Sequence, residues 1–278
     1  MHDYDSTRRS WNAATRNHNA HKGDQARFLR EGGDVLFEDE LELLGPLDQK
    51  TLAHLQCNAG QDSLCLARRG AVVTGVDLSD AAIAFARELS AETGIDATFV
   101  EAELIDWLTH TDARFDLAFA SYGATGWLPD LDAWARGVER ILLPGGALVY
   151  VEFHPIVHSI DADGRASRDD YFASDPFIEP VGDYVAEAEG GLSPSGEVNA
   201  APTTPNETAA WSYQHTMASI LDAIARTGLV IERVREYPYS NGCKITPALV
   251  PAPGRRFVWP GNLARLPLML GLRARKPQ

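Results

Sequence analysis

Between residues 51 and 153, apolar runs of strand length alternate with amphipathic stretches of helix length. Residues 51–57 form a short apolar run that closes in a polar turn. A helix over 61–69 follows, with Gly70 where a C-terminus wants a left-handed residue. The β-branched run 71–77, AVVTGVD, predicts a buried second strand. Ser79 then caps a helix whose Ile83, Ala86 and Leu89 share one face, and Gly94 ends it. Residues 97–101 predict a third strand and 115–121, FDLAFAS, a fourth. Leu131, Trp134, Val138, Ile141 and Leu142 make one helical stripe, which Pro144-Gly145-Gly146 breaks before a fifth strand over 147–153.

Near-continuous apolar strands alternating with helices predict an α/β fold, a mostly parallel sheet covered on both faces. Right-handed crossovers make it doubly wound, and ligands in such sheets sit beyond the carboxyl ends of the strands. The turns after residues 57, 77, 101, 121 and 153 are therefore the places to look. Residues 1–45 read as an N-terminal helical cap, and 46–278 as the main domain. The pattern lapses over about 155–210, a stretch rich in Asp, Gly, Ser, Pro and Thr that reads as a functional insertion or lid. It resumes at Trp211, with a helix that has Met217, Ile220, Leu221, Ile224 and Ala225 on one face and ends at Gly228, and a sixth strand over 229–237. A second irregular excursion spans 238–266. Residues 268–274 then read as a final, antiparallel edge strand.

The formal charge of −14 argues against general nucleic-acid binding, because phosphate backbones repel such a surface. The three cysteines, Cys57, Cys65 and Cys243, form neither a disulfide framework nor a CxxC pair, which fits a reducing cytoplasm and gives no metal site. No segment reads as a signal peptide or a membrane span.

The first strand–turn–helix reads LAHLQCNAGQDSLCLA. A dinucleotide fingerprint needs three glycines there to let a pyrophosphate approach the backbone, but Gln56 and Asn58 occupy two of the places and only Gly60 remains. A ligand without phosphate, such as a nucleoside joined to an amino acid, needs less clearance. Asp77 closes the second strand about 20 residues later, where a carboxylate accepts hydrogen bonds from ribose hydroxyls.

The pieces HLQCNAGQDS, VTGVDLS, FVEAELIDW, FDLAFAS and LLPGGALVYVEF, in this order and spacing, resemble those of class I S-adenosylmethionine-dependent methyltransferases. Residues 211–236 and 267–276 resemble that family's last helix and strands. The resemblance implies a Rossmann-like, seven-stranded sheet with a reversed last strand, with S-adenosylmethionine as cofactor and S-adenosylhomocysteine as product. It implies cofactor contacts from Gln56, Cys57, Asn58, Gly60, Asp62, Ser63, Asp77, Leu78, Glu103, Leu104 and Ser121. His54 stands where the family usually has an acid, and Asp62 is the candidate substitute for holding the cofactor's ammonium. Glu101 competes with Glu103 for the turn that meets the adenine.

The expected activity is methyl transfer to oxygen or nitrogen of a small organic molecule, with carbon possible. His154, His215 and Tyr122 are the candidate catalytic residues, and Trp11, His18, His21, Tyr122, His154 and Trp211 the candidates for contacting substrate. A monomer or homodimer acting on a small-molecule acceptor, away from membranes, is expected. A nicotinamide-dependent oxidoreductase on a similar sheet, or a cofactor-binding protein without catalysis, are the alternatives. The first predicts a glycine-rich turn and a Tyr/Lys arrangement, neither of which the sequence contains.

Overall fold

A computed structural model describes residues 2–161, 163–167 and 170–278. Three helices come first: α1 (Tyr4–His21), α2 (Gln25–Arg30) and α3 (Glu38–Leu44). Asp3 and Asp24 cap the first two by accepting backbone N–H groups of their first turns. The alternating region follows as β1 (Thr51–Leu55), α4 (Gln61–Arg68), β2 (Val72–Asp77), α5 (Asp80–Thr93) and β3 (Thr98–Glu101). It continues through α6 (Leu104–His110), β4 (Phe115–Ser121), α7 (Leu131–Ile141) and β5 (Leu142–Phe153). Ser79 caps α5 through its hydroxyl, and Gly94 closes it at φ 69°, where a side chain would be strained.

The main sheet has seven strands. β8 (Val230–Tyr237) forms one edge, and β12 (Met269–Arg275) lies between it and β5, giving the order β3-β2-β1-β4-β5-β12-β8. β12 runs antiparallel to both neighbours, while β1 to β5 pair in parallel. The reversed strand expected from the sequence is present, but it is interior rather than an edge. The reason is its apolar character on both faces. Leu270, Leu272 and Ala274 join the core beneath α6, α7 and α9 (Met217–Ala225), and Met269 joins the core on the opposite face. The edge falls to β8, whose Glu232, Arg233, Arg235 and Glu236 discourage pairing with other chains.

The fifth strand begins at Leu142, directly after α7, rather than at residue 147. Pro144-Gly145-Gly146 therefore lies inside a strand, where the β4–β5 register shifts between Phe115 and Leu117. The helix needs no breaker, because it has already ended at Ile141.

Both irregular stretches contain order that their composition conceals. β6 (Phe177–Pro180) pairs antiparallel with β7 (Ala209–Ser212), and the short α8 (Tyr184–Glu187) lies between them in sequence. The later stretch holds a small sheet of β9 (Tyr239–Asn241), β10 (Val250–Ala252) and β11 (Arg256–Val258). Asn17 donates to the Thr204 carbonyl at 2.8 Å, and Asn206 donates to the Ser10 carbonyl at 3.0 Å. The cap and the insertion are thus stitched together by side chain to backbone bonds. Among the described residues, no helix is long and apolar enough to cross a membrane, and no cluster of three metal-ligating side chains is present.

Candidate active site

The turn after β1 is the first element of the site. Gln56, Asn58 and Gly60 all have positive φ, at 54°, 48° and 80°. Glycine is the residue that adopts this geometry without strain, so two side chains here must be held. Asn58 is held twice. Its N–H donates to Asp77 Oδ2 at 2.8 Å, and its Oδ1 accepts the Ala59 N–H at 2.7 Å. Gln56 is held by donating to the Ala124 carbonyl at 2.9 Å. Gly60 has a packing reason as well, since a Cβ there would come within 2.6 Å of Ala86 and 2.9 Å of Phe99.

Asp77 organises two turns at once. Its second oxygen accepts the Ser79 N–H at 2.8 Å. Burial pushes its carboxyl above the usual range, and the N–H donors of Ser79, Asn58 and Leu78 oppose this. A carboxylate has about four lone-pair positions, so further hydrogen bonds can be accepted from a ligand. Asn12 of α1 closes over this turn, accepting from Ser79 Oγ at 2.7 Å and donating to Asp80 at 2.7 Å.

These turns open on a cavity of about 560 Å³ at the carboxyl edge of the sheet. Gln56, Cys57, Asn58, Asp62, Asp77, Leu78, Glu103, Leu104, Ser121 and Tyr122 all line it, as does Trp11 of the cap. Glu103 reaches it while capping α6, accepting the Asp106 N–H at 2.7 Å. Glu101 is exposed and outside the lining. Gly60 and Ser63 shape the turn and the first helix without lining the cavity.

His54 is buried, with Nδ1 2.8 Å from Ser63 Oγ, and burial drives its pKa down to about 3. The acid expected of this position is thus replaced by a neutral imidazole bonded to a serine. Asp62, in the first turn of α4, supplies a carboxyl at the same end of the cavity. Burial raises it, and Lys22 and Arg255 oppose that rise. Lys22 is pushed down by burial and drawn back by Asp62. Asp62 therefore interacts with Lys22 and Arg255 in the cavity wall, and Glu40 lies next to them on the side of Tyr122.

The candidate histidines are placed elsewhere. His154 follows β5 as expected, but its Nε2 lies 3.1 Å from Glu236 Oε1 and its Nδ1 accepts the Ile156 N–H at 3.2 Å, so it caps the following 3-10 turn outside the cavity lining. His215 has Nε2 2.9 Å from the Leu128 carbonyl and braces the loop after β4. His18 contacts the Gly182 carbonyl at 3.1 Å and lies tilted against the Tyr184 ring, 4.1 Å between ring centres. His21 contacts Asp183 at 2.9 Å. Both fasten α1 to the insertion. Trp211 belongs to β7, and its N–H donates to Thr7 Oγ1 at 3.1 Å, again outside the lining.

Several lining residues carry no sequence signal of their own. Glu40 sits in the acidic run EDELELL, which reads as a solvated helix face, yet it is only 1% exposed. Arg255 lies in a turn of the second excursion, with its guanidinium 4.2 Å from the centre of the Phe37 ring. Tyr184 is brought in by the insertion, and Trp127 packs edge-on to Trp11 at 5.1 Å.

The donor set fits S-adenosylmethionine. Asp77 and Glu103 mark the ends of β2 and the turn after β3, and charges of both signs meet at the far end, where an amino acid's ammonium and carboxylate need opposite partners. Gln56 Oε1 is buried without a partner among the described residues, an acceptor that a bound ligand can satisfy.

Residues 53–146 match the model of a family described as a methyltransferase domain. Over 88% of its length the chain also superposes on 99% of an S-adenosylmethionine-dependent methyltransferase from Mesorhizobium loti, at 25% identity and a TM-score of 0.57. Residues 53–146 thus carry a methyltransferase domain, on the fold of class I, S-adenosylmethionine-dependent methyltransferases.

Among curated proteins, it is 32% identical to the demethylmenaquinone methyltransferase of Thermus thermophilus over 132 residues, which is 46% of this chain and 59% of that one. It is 28% identical to a ubiquinone biosynthesis O-methyltransferase of Alkalilimnicola ehrlichii over 109 residues, 39% of this chain and 44% of that one. The matched segment spans about half the length of these relatives.

Proposed function

We propose that this protein transfers the methyl group of S-adenosylmethionine to an oxygen or nitrogen of a small organic molecule enclosed beneath the cap and the insertion. The observation that carries the reading is the half-buried Asp77 carboxylate. It joins the turns after β1 and β2 at the floor of a 560 Å³ cavity, inside the segment that matches a methyltransferase domain. Cavities of this size suit enclosed small ligands. The names of the curated relatives, a demethylmenaquinone methyltransferase and a ubiquinone biosynthesis O-methyltransferase, support a ring-bearing acceptor.

When bound, the sulfonium of S-adenosylmethionine supplies an electrophilic methyl group, so the difficult chemistry belongs to the cofactor. The chain's task is to orient the partners and keep water out, which can contribute roughly 7–11 kcal/mol in favourable cases. Asp77 is assigned to the ribose hydroxyls, with Leu78, Glu103 and Leu104 around the adenine. Asp62 with Lys22 and Arg255 is assigned to the amino-acid end. Trp11, Trp127 and Tyr184 close the roof over the floor turns.

Calorimetry with S-adenosylhomocysteine tests this. Wild type should bind, and Asp77→Ala should weaken binding in line with a loss of about 1–3 kcal/mol for unpaired hydroxyls. No binding by wild type overturns the reading.

A further inference from the structure

Beyond the floor turns, over the ends of β4, β5 and β12, α3 delivers a second polar cluster, which adjoins Asp62 and Arg255 through Glu40. Gly271 of β12 makes this possible, because a Cβ there would lie 2.9 Å from the Tyr237 ring and 3.0 Å from Leu43 of α3. With α3 seated on the strand, Glu40 reaches the cavity wall. Tyr122, the residue after β4, donates its phenolic hydrogen to Glu40 Oε1. Asn241 Nδ2 donates to the same phenolic oxygen at 3.1 Å. Asn241 is itself fixed, donating to Asp39 at 3.0 Å, while Arg256 and Tyr239 each donate to Asp39 at 2.8 Å. Tyr122 holds a strained φ of 45°, and the N–H groups that follow it, of Gly123 and Ala124, are clamped by Glu152. Such a held geometry at a strand end is a mark of a working residue.

We propose that Tyr122 and Glu40 are the proton-accepting pair of the transfer, and that the acceptor is an ionisable ring hydroxyl, a phenol or enol. This rests on the methyltransferase reading above. Phe37, Phe153, Val157, Leu192 and Ile245 give the same part of the cavity an apolar wall for the ring. As the acceptor oxygen takes the methyl group, its O–H bond breaks and the proton passes to the Tyr122 oxygen. Tyr122's own proton passes to Glu40. The electron pair of the broken carbon–sulfur bond stays on sulfur, so a sulfonium and a carboxylate become a thioether and a carboxylic acid.

Glu40 suits the role because burial, and then the charge of Asp62, raise its affinity for a proton, against the Tyr122 and Phe37 hydrogen bonds and Arg255. The groups facing it are Asp62 of α4, Tyr122, and Arg255 from the turn between β10 and β11, with Asp39 beside it on α3.

The test measures S-adenosylhomocysteine affinity by calorimetry and product formation with phenol, catechol and 4-nitrophenol, for wild type, Glu40→Gln, Glu40→Asp and Tyr122→Phe. Wild type should methylate ring hydroxyls. Glu40→Gln should lower kcat for phenol by about 10²–10⁴-fold, with cofactor affinity within threefold of wild type and partial recovery in Glu40→Asp. The loss should shrink for 4-nitrophenol, which ionises unaided near neutrality. A structural role would depress all three acceptors alike. No turnover of any ring hydroxyl overturns the acceptor class. Glu40→Gln with unchanged kcat, an equal loss for all acceptors, or a tenfold weaker cofactor affinity overturns the pair. Wild type that binds no S-adenosylhomocysteine defeats the methyltransferase reading instead.

Discussion

The floor and the roof of the cavity are built by different means. On the floor, carboxylates take their hydrogen bonds from backbone N–H groups: Asp77 from Asn58 and Ser79, Glu103 from Ile105 and Asp106, and Glu152 from the turn after β4. Such bonds tie a turn to itself or to a neighbouring strand end, within 28 residues of sequence. On the roof, the ties join segments far apart in sequence, as in His21 to Asp183, Arg8 to Asp80, and Asn206 to Ser10. A floor of this kind is pre-organised. A roof of this kind depends on distant segments staying docked.

The largest test of the difference is Glu152→Ala. Glu152 is buried and accepts N–H groups of Gly123, Ala124, Thr125 and Phe153. Its loss should orphan these donors and cost about 3 kcal/mol or more in urea unfolding. A cost below about 1 kcal/mol would mean that water replaces the carboxylate and that the floor is softer than described. Next is Trp11→Ala on the roof. It should accelerate amide exchange across residues 177–212 while leaving the exchange of β1 and β4 unchanged. Equal acceleration in both regions would erase the distinction.

The two parts should also answer pH with opposite signs. His54, on the floor, is driven to about 3 by burial. It must stay neutral, so its contribution is present above the ordinary histidine pKa of about 6.5 and is lost as pH falls from there toward about 3. His21, on the roof, is raised chiefly by its bond to the Asn199 carbonyl, and Asp183 adds to this against burial. Its contribution is full below about 6.5 and is lost as pH rises through the raised value. His18, pushed to about 4 by burial, adds an acid-side loss to the roof, so only the alkaline side isolates His21. Hydrogen exchange between pH 6 and 8 should show residues 183–204 loosening with rising pH in wild type and not in His21→Gln.

The smallest expected effect is Arg27→Ala. Arg27 pairs with Glu197 between α2 and the insertion, but the two side chains are 50% and 45% exposed. Its removal should change stability by less than about 1 kcal/mol. A larger loss in thermal unfolding would mark this pair as a latch.

The alternating strands, the two capped helices after β1 and β2, and the acids Asp77 and Glu103 were readable because each follows from local periodicity or from a residue's place in a turn. The histidines were not. His154 and His215 lie near the correct strand ends, but position along a chain does not say which way an imidazole turns, and Glu236 and the Leu128 carbonyl decide that. Glu40 was illegible for the converse reason. In sequence it belongs to an acidic helix, and only the packing of Leu43 on Gly271 makes that face an inner one.

The sequence by itself determined a doubly wound sheet, a reversed last strand and the turns that floor the cavity, since hydrophobic period and turn chemistry act within a few residues. The tertiary structure decided that the last strand is interior, that Tyr184, Leu192, Ile245 and Arg255 of the two irregular stretches reach the cavity, and that Glu40, Tyr122 and Asn241 meet. Those outcomes depend on which distant surfaces bury one another, and no local pattern encodes that choice.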